Sequence, residues 1–372
     1  MKKIENFFKS ILLQLLLLIT KFRRNNNNEL QGNFSKILFV RLNRIGDALV
    51  TTPLLHLIKK KLNPRIYILA DKKNSFVYKN NPDIDEIITF KKGIKSILEI
   101  TEFIKREEID TVVDLHDDVS TTVSYIIALS QTRNKFGLAK ENKNIYTKTI
   151  QKLDSKNTHV VTRLLEIGKL FNLRTDNSNN WIGYYPAYPS LKKAEDFLKK
   201  TFKKNNYLIG INISAGSDAR FWGVERFKSL IEFLLNYNKS EIKPDINILI
   251  LSALKDLDNA EKIIKVKNNG SNNEQSAVFC SADFDEFAAV ISNVDLLFTP
   301  DTAAVHLAAA FHKPVFGIYV HDTDDMIWSP YGVDFECITT KEPNLKNTDF
   351  EEVRNKFEIF LKKQLSEKSA NA

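Results

Sequence analysis

Short apolar blocks alternate along this chain with longer stretches in which apolar residues recur every three or four positions. The blocks Lys36–Val40, Arg65–Ala70, Asp85–Phe90 and Thr111–Leu115 predict strands, and Ala48–Leu62 and Ile94–Arg106 predict the helices between them, Pro53 standing near the start of the first. Around Gly183-Tyr-Tyr-Pro-Ala-Tyr-Pro189 the pattern lapses into a proline- and aromatic-rich hinge. It then restarts. Tyr207–Ile213, Ile246–Leu251, Ala277–Cys280, Val294–Phe298 and Pro314–Tyr319 predict strands. Glu225–Tyr237, Phe284–Ser292 and the alanine-rich run after Thr302 predict helices, with a long amphipathic helix at Asp349–Leu365. Such alternation builds parallel sheets covered on both faces. The expected fold class is α/β: two doubly wound, Rossmann-like halves facing a cleft, with ligand chemistry in loops beyond the carboxyl ends of the strands. A chain of 372 residues is comfortable for two such domains.

Charge changes this picture at one end only. The formal net charge is +8, but residues 1–24 carry six basic side chains against Glu5, which leaves +3 on the other 348 residues. That is too little for a surface that tracks phosphates along a nucleic acid, so no nucleic-acid partner is expected. The basic end surrounds Phe7-Phe8 and Ile11–Ile19. From Phe7 to Phe22 a helix would reach roughly 24 Å, short of the ~30 Å hydrocarbon core of a bilayer. An interfacial helix on an anionic inner leaflet fits this segment, with a short transmembrane anchor as the rival reading. Arg23-Arg24 and the asparagine run after it replace the small-residue cleavage site of a signal peptide. Two cysteines, Cys280 and Cys337, give neither a disulfide framework nor a zinc spacing and suit a reducing cytoplasm.

Three polar constellations follow predicted strands. Arg41-Leu-Asn-Arg-Ile-Gly-Asp47 ends the first block, with Gly46 suited to a tight turn and Asp47 at the start of a helix. Asp47 is either that helix's cap or a general base whose charge Arg41 or Arg44 balances; the arginines could equally bind acidic groups of a substrate. Asn212-Ile-Ser-Ala-Gly-Ser-Asp-Ala-Arg-Phe-Trp222 follows the first strand of the second half. Ser214, Gly216 and Ser217 let a ligand approach the backbone and can hold phosphate oxygens, and Arg220 could neutralise a diphosphate. The bland alternative is a polar loop over a packed Trp222. Third, Asp301, Thr302 and His306 surround a helix N-terminus, which suits an anion, although an ordinary N-cap beside a buried histidine would look alike. A carboxylate beside a diphosphate is repulsive, so Asp301 is assigned to sugar hydroxyls and Thr302 with its backbone to phosphate. A weaker candidate, Asp114-Leu-His-Asp-Asp118, reads as solvated loop charge. Neither a P-loop nor a dinucleotide fingerprint is present.

With these residues in view, the chain resembles glycosyltransferase family 9, the heptosyltransferases of lipopolysaccharide core assembly. The resemblance spans about residues 36–332 and rests on Ile37–Pro53, the Ser214–Trp222 loop, and Asp301-Thr302 with His306-Leu-Ala-Ala-Ala310. It implies a GT-B fold, an acceptor on the N-terminal half, a nucleotide-sugar donor on the C-terminal half, and inversion without an obligatory metal. By position Asp47 matches the family's base, Arg220 a basic residue that is often lysine, and Asp301, Thr302 and His306 the donor motif. The expected organisation is a membrane-associating helix and linker (1–33), an acceptor-side domain (34–185), a donor-side domain (186–345) and a C-terminal helix and tail (346–372). The implied protein is a glycosyltransferase on the cytoplasmic face of the inner membrane, with ADP-heptose as donor and a lipid-linked glycan as acceptor. Another nucleotide sugar used for capsule, O-chain or protein glycosylation, and a non-catalytic sugar-nucleotide-binding partner, stay open as alternatives. Three positions depart from the family pattern: Ala303 for a usual glycine, Gly223 for a frequent proline, and Val320-His321-Asp322 for a Gly-Pro-Thr-like turn.

Overall fold

The computed structural model describes residues 34–175, 180–202, 206–237, 245–265, 275–320 and 328–370. The proposed membrane-associating segment lies outside them, as do His321 and Asp322; among the described residues no helix is long and apolar enough to cross a membrane. The chain divides after Gly183 into two compact units.

The first unit is built on six parallel strands: β1 (Lys36–Arg41), β2 (Arg65–Asp71), β3 (Glu86–Phe90), β4 (Thr111–Asp114), β5 (Asn134–Leu138) and β6 (Lys148–Ile150). Their order in the sheet is β3-β2-β1-β4-β5-β6. Ile37, Leu38, Phe39 and Val40 of β1 are all fully buried, so the central strand needs cover on both faces. On one face the Ile94–Arg106 helix supplies Ile97, Ile100 and Ile104, a single stripe at helical spacing, against Leu38, Val40 and Leu69. The helix expected over Ala48–Leu62 is two helices, Ile45–Leu49 and Thr52–Leu62. Pro53 explains the break, because it suits the first turn of a new helix and lacks the N–H that would continue the old one. Thr51 and Thr52 donate their hydroxyls to the carbonyls of Ala48 and Leu49 at 2.6 and 2.7 Å and seal the first helix. Gly46 lies inside that helix, not in a tight turn, and positive φ among the described glycines occurs at Gly93, Gly223 and Gly332.

The second unit repeats the plan with β7 (Tyr207–Asn212), β8 (Ile246–Ser252), β9 (Ser276–Cys280), β10 (Leu296–Pro300), β11 (Val315–Val320) and β12 (Phe335–Thr340). The order is β12-β11-β10-β7-β8-β9, again all parallel. β10 runs two residues beyond its expected end and includes Pro300, which a strand tolerates at its terminus. Trp222, Phe227, Phe298, Phe316 and Phe357 form an aromatic centre, with Trp222 meeting Phe227 edge-on at 5.2 Å between ring centroids. Phe357, Phe360 and Leu361 come from the Phe350–Ala370 helix, which packs into this same core.

Candidate active site

Each sheet has one place where the winding reverses. In the first unit the chain goes outward from β1 to β2 and β3, then returns to lay β4 on the other side of β1. In the second it goes from β7 to β8 and β9, then lays β10 on the other side of β7. Adjacent loops at such a switch point leave the sheet in opposite directions and open a crevice at the carboxyl ends of the strands. The polar constellations stand at these two points.

In the first unit, Arg41 ends β1, Arg44 stands in the short loop after it, and Asp47 lies in the Ile45–Leu49 helix that follows. Asp47 Oδ1 pairs with Arg41 Nη2 at 2.8 Å, and its Oδ2 accepts the Arg44 backbone N–H at 3.2 Å. It therefore does what a cap residue does and also holds a charge partner. Arg41 is only 1 % exposed: Nε donates to the Asp47 carbonyl at 3.2 Å and Nη1 to the Leu115 carbonyl. Its guanidinium is thus turned toward Asp47 and the β4 loop, whereas Arg44 is exposed. Asn74, buried after β2, donates to the carbonyls of Arg41 and Asn43 at 3.2 and 2.9 Å. Nearby Tyr78 bonds Thr51 Oγ1 at 3.1 Å, and burial pushes its hydroxyl up to about 12, so it stays protonated.

In the Asp114–Asp118 stretch only Asp118 is the solvated charge expected of all of it. Asp114 and His116 are buried. Asp114 Oδ1 meets His116 Nδ1 at 2.7 Å, and Oδ2 receives Lys140 Nζ at 2.8 Å and the Tyr146 hydroxyl at 2.6 Å. Burial works to raise the Asp114 carboxyl, but His116 and the Lys140 ammonium overcome it and hold the group well below the usual carboxylate range. Burial, with Asp114 second, pushes the Tyr146 hydroxyl far up, so it stays a donor.

In the second unit one side chain joins the two expected ligand loops. Asn212, at the end of β7 and 2 % exposed, donates Nδ2 to Thr299 Oγ1 at 2.9 Å, the Ser214 carbonyl at 3.2 Å and Thr302 Oγ1 at 3.3 Å. Its Oδ1 accepts the Ser214 N–H at 3.1 Å. The residue types around it gave no reason to single it out; only the β7–β10 pairing brings it there. Thr302 is the N-cap of the Ala303–Ala310 helix, accepting the Ala304 N–H at 3.2 Å. Ala303 follows with no positive φ, so the family's usual glycine is not required at this backbone. Arg220, from the short 3-10 turn Asp218–Arg220, pairs with Asp301 at 3.0 Å. The bond joins the Ser214–Arg220 loop to the start of the Ala303–Ala310 helix. Ser214 Oγ is engaged as acceptor of the Ala253 N–H at 2.8 Å, whereas Gly216 and Ser217 are exposed. A Cβ placed on Gly216 would meet nothing within 4 Å, so its contribution is open space. His306 is buried in the first turns of the helix, its ring 5.9 Å from that of Trp328. Burial, with Asp301 second, holds the fully buried Tyr319 hydroxyl protonated beneath this site. Gly223, at φ 109, begins the Val224–Tyr237 helix in a conformation proline cannot adopt.

Two Rossmann-like units, each with polar loops at its switch point, are the architecture of GT-B glycosyltransferases, and solved structures share it. A glycosyltransferase family 9 protein of Veillonella parvula superposes with a TM-score of 0.74 at 19% identity, over 89% of this chain and 98% of that one. The Escherichia coli heptosyltransferase WaaC with ADP gives a TM-score of 0.66 at 15% identity, over 89% and 99%. In sequence, lipopolysaccharide heptosyltransferase 1 of Campylobacter coli is 24% identical over 299 residues, which is 76% of this chain and 83% of that protein. Residues 97–357 match the family model described as glycosyltransferase family 9 (heptosyltransferase). The chain belongs to glycosyltransferase family 9 and is a glycosyltransferase.

Proposed function

We propose that this enzyme transfers heptose, with inversion, from ADP-heptose to a lipid-linked acceptor of the lipopolysaccharide core type. Asp47 takes the proton of the acceptor hydroxyl as that oxygen attacks the anomeric carbon. Arg41 orients Asp47, and exposed Arg44 meets acidic groups of the acceptor. On the donor side Arg220, Thr302 and the N–H groups at the start of the Ala303–Ala310 helix receive the departing diphosphate, a preorganised electrostatic site. Asp301 steadies Arg220 and serves the sugar hydroxyls, Gly216 and Ser217 give the diphosphate room, and Ser214 and His306 shape its surroundings. The basic, apolar segment at residues 4–22 would hold the enzyme on the inner leaflet, where such an acceptor lies.

The supporting observation is the convergence, at one switch point, of the Thr302 cap and the Ser214–Ser217 loop, which Asn212 ties together, with the Arg220–Asp301 pair as a second link between the same two segments. Thermal stabilisation by ADP, ADP-heptose, UDP, GDP and CMP tests it. A ligand at 100 times its Kd stabilises the folded state by about 2.7 kcal/mol. Selective shifts with ADP and ADP-heptose are expected; preference for another nucleotide, or no shift with any, overturns the donor assignment.

A further inference from the structure

The geometry points to His116 as a positioning residue that clamps the Asp47 loop, an inference that rests on the reading of Asp47 as base. His116 Nε2 lies 3.1 Å from the backbone nitrogen of Leu42, one residue past Arg41. An amide N–H only donates, so Nε2 must accept and the ring proton sits on Nδ1, where it is donated to Asp114 Oδ1 at 2.7 Å. Lys140 fixes the far side, bonding Asp114 Oδ2 and the His116 carbonyl, both at 2.8 Å. The β4 loop therefore grips the β1 loop twice. Leu115 takes the Arg41 guanidinium through its carbonyl, and His116 takes the Leu42 N–H. The guanidinium held in this way is the one bonded to Asp47.

A buried charged network is not the most stabilising filling for this space, since apolar side chains of equal volume are often neutral or better. What it supplies is direction. The last backbone bond between β1 and β4 runs from the Leu115 N–H to the Val40 carbonyl at 3.2 Å, and past it these side-chain bonds set the position of one loop against the other.

Two substitutions separate the bonds. His116→Asn keeps a donor where Nδ1 stood and loses the acceptor facing Leu42, whereas His116→Gln places an acceptor near the Nε2 position. In the full chain, His116→Asn should speed hydrogen exchange of the Leu42 amide at least tenfold without changing the Thr121–Leu129 helix, and His116→Gln should restore most of the protection. With ADP-heptose and a lipid A–Kdo acceptor, His116→Asn should lower kcat roughly 10- to 100-fold, as a misplaced reacting group does, with donor KM unchanged. His116→Gln should recover most of that loss. Asp47→Asn combined with His116→Asn should be no slower than Asp47→Asn alone, because both act through one group. Full kcat in a folded His116→Asn, no rescue by Gln, multiplying losses in the double variant, or unchanged Leu42 exchange overturns the proposal. Full kcat in His116→Asn with an inactive Asp47→Asn removes only the positioning role. An active Asp47→Asn removes the base reading and the positioning role with it.

Discussion

Replacing Asn212 by alanine should loosen the proposed donor site from within. The carboxamide makes four contacts, to Thr299 Oγ1, Thr302 Oγ1 and both the carbonyl and N–H of Ser214, and almost none of it is exposed. Its NH2 has two hydrogens for three acceptors, and Thr299 keeps its own bond to the Pro300 carbonyl at 2.8 Å. The net loss is therefore near two buried hydrogen bonds, with the Ser214 N–H left without its acceptor, or about 2–4 kcal/mol. For a unit of this size each kcal/mol moves Tm by about 2–4 °C, so a drop of roughly 10 °C is expected in the transition of the second unit. Calorimetry reads the shift, and hydrogen exchange locates it: peptides covering 213–221 and 299–305 should exchange faster, and those of β8 should not. ADP affinity should fall about tenfold, equivalent to about 1.4 kcal/mol, as the two loops lose their alignment. A shift under about 2 °C, where surface substitutions fall, or loosening of β8 in place of these loops, would show that Asn212 does not hold the two loops together.

Arg220→Ala should cost under about 1 kcal/mol of stability, because its pair with Asp301 is partly exposed. ADP binding should nonetheless weaken roughly 10- to 100-fold through loss of a charge-assisted bond, measurable by calorimetric titration; unchanged affinity would separate Arg220 from the diphosphate. Acid should weaken the first unit through Asp114. Between the ordinary carboxyl value of about 3.9 and the depressed folded value, only the unfolded chain takes up the proton. Stability is thus fully present above the ordinary value and falls as pH falls toward the folded one. Urea midpoints from pH 6 to pH 3 should fall more steeply for the wild type than for Asp114→Asn; parallel curves would contradict this. Gly223→Ala should destabilise the second unit by about 1–3 kcal/mol, since φ 109 strains any L side chain, and an unchanged urea midpoint would count against it.

The alternation that builds both sheets was legible because β1, β7 and β8 bury both faces, which leaves apolar blocks that need no tertiary context to be seen. β5, Asn134-Lys-Phe-Gly-Leu138, and three-residue β6 were not visible, because their polar positions are satisfied by neighbours. Asn134 bonds Thr111 Oγ1 at 3.2 Å and Thr147 Oγ1 accepts the Lys135 N–H at 2.9 Å. The strand expected to end at Phe298 runs on to Pro300, because the last residue of a strand needs no further donor. Asp114 looked solvated because its partners Lys140 and Tyr146 lie 26 and 32 residues away and come from beyond β5. For the same reason the candidate residues could be found as loops after strands, but their meeting depends on strand order. Asn212 reaches Thr302 only because β10 pairs with β7, and His116 reaches Leu42 only because β4 lies beside β1. Local spacing carries neither pairing.

Transfer from ADP-heptose by way of Asp47 is read out by the release of ADP in the presence of acceptor. With a lipid A–Kdo acceptor, wild-type enzyme should release ADP and form a glycosylated lipid of inverted anomeric configuration. Asp47→Asn should slow that release by about 10²- to 10⁴-fold, the usual contribution of a general base, while its ADP-heptose Kd stays unchanged. Asp47→Asn turning over at the wild-type rate would exclude Asp47 as the base, and wild-type release that ignores the acceptor would exclude the transfer itself.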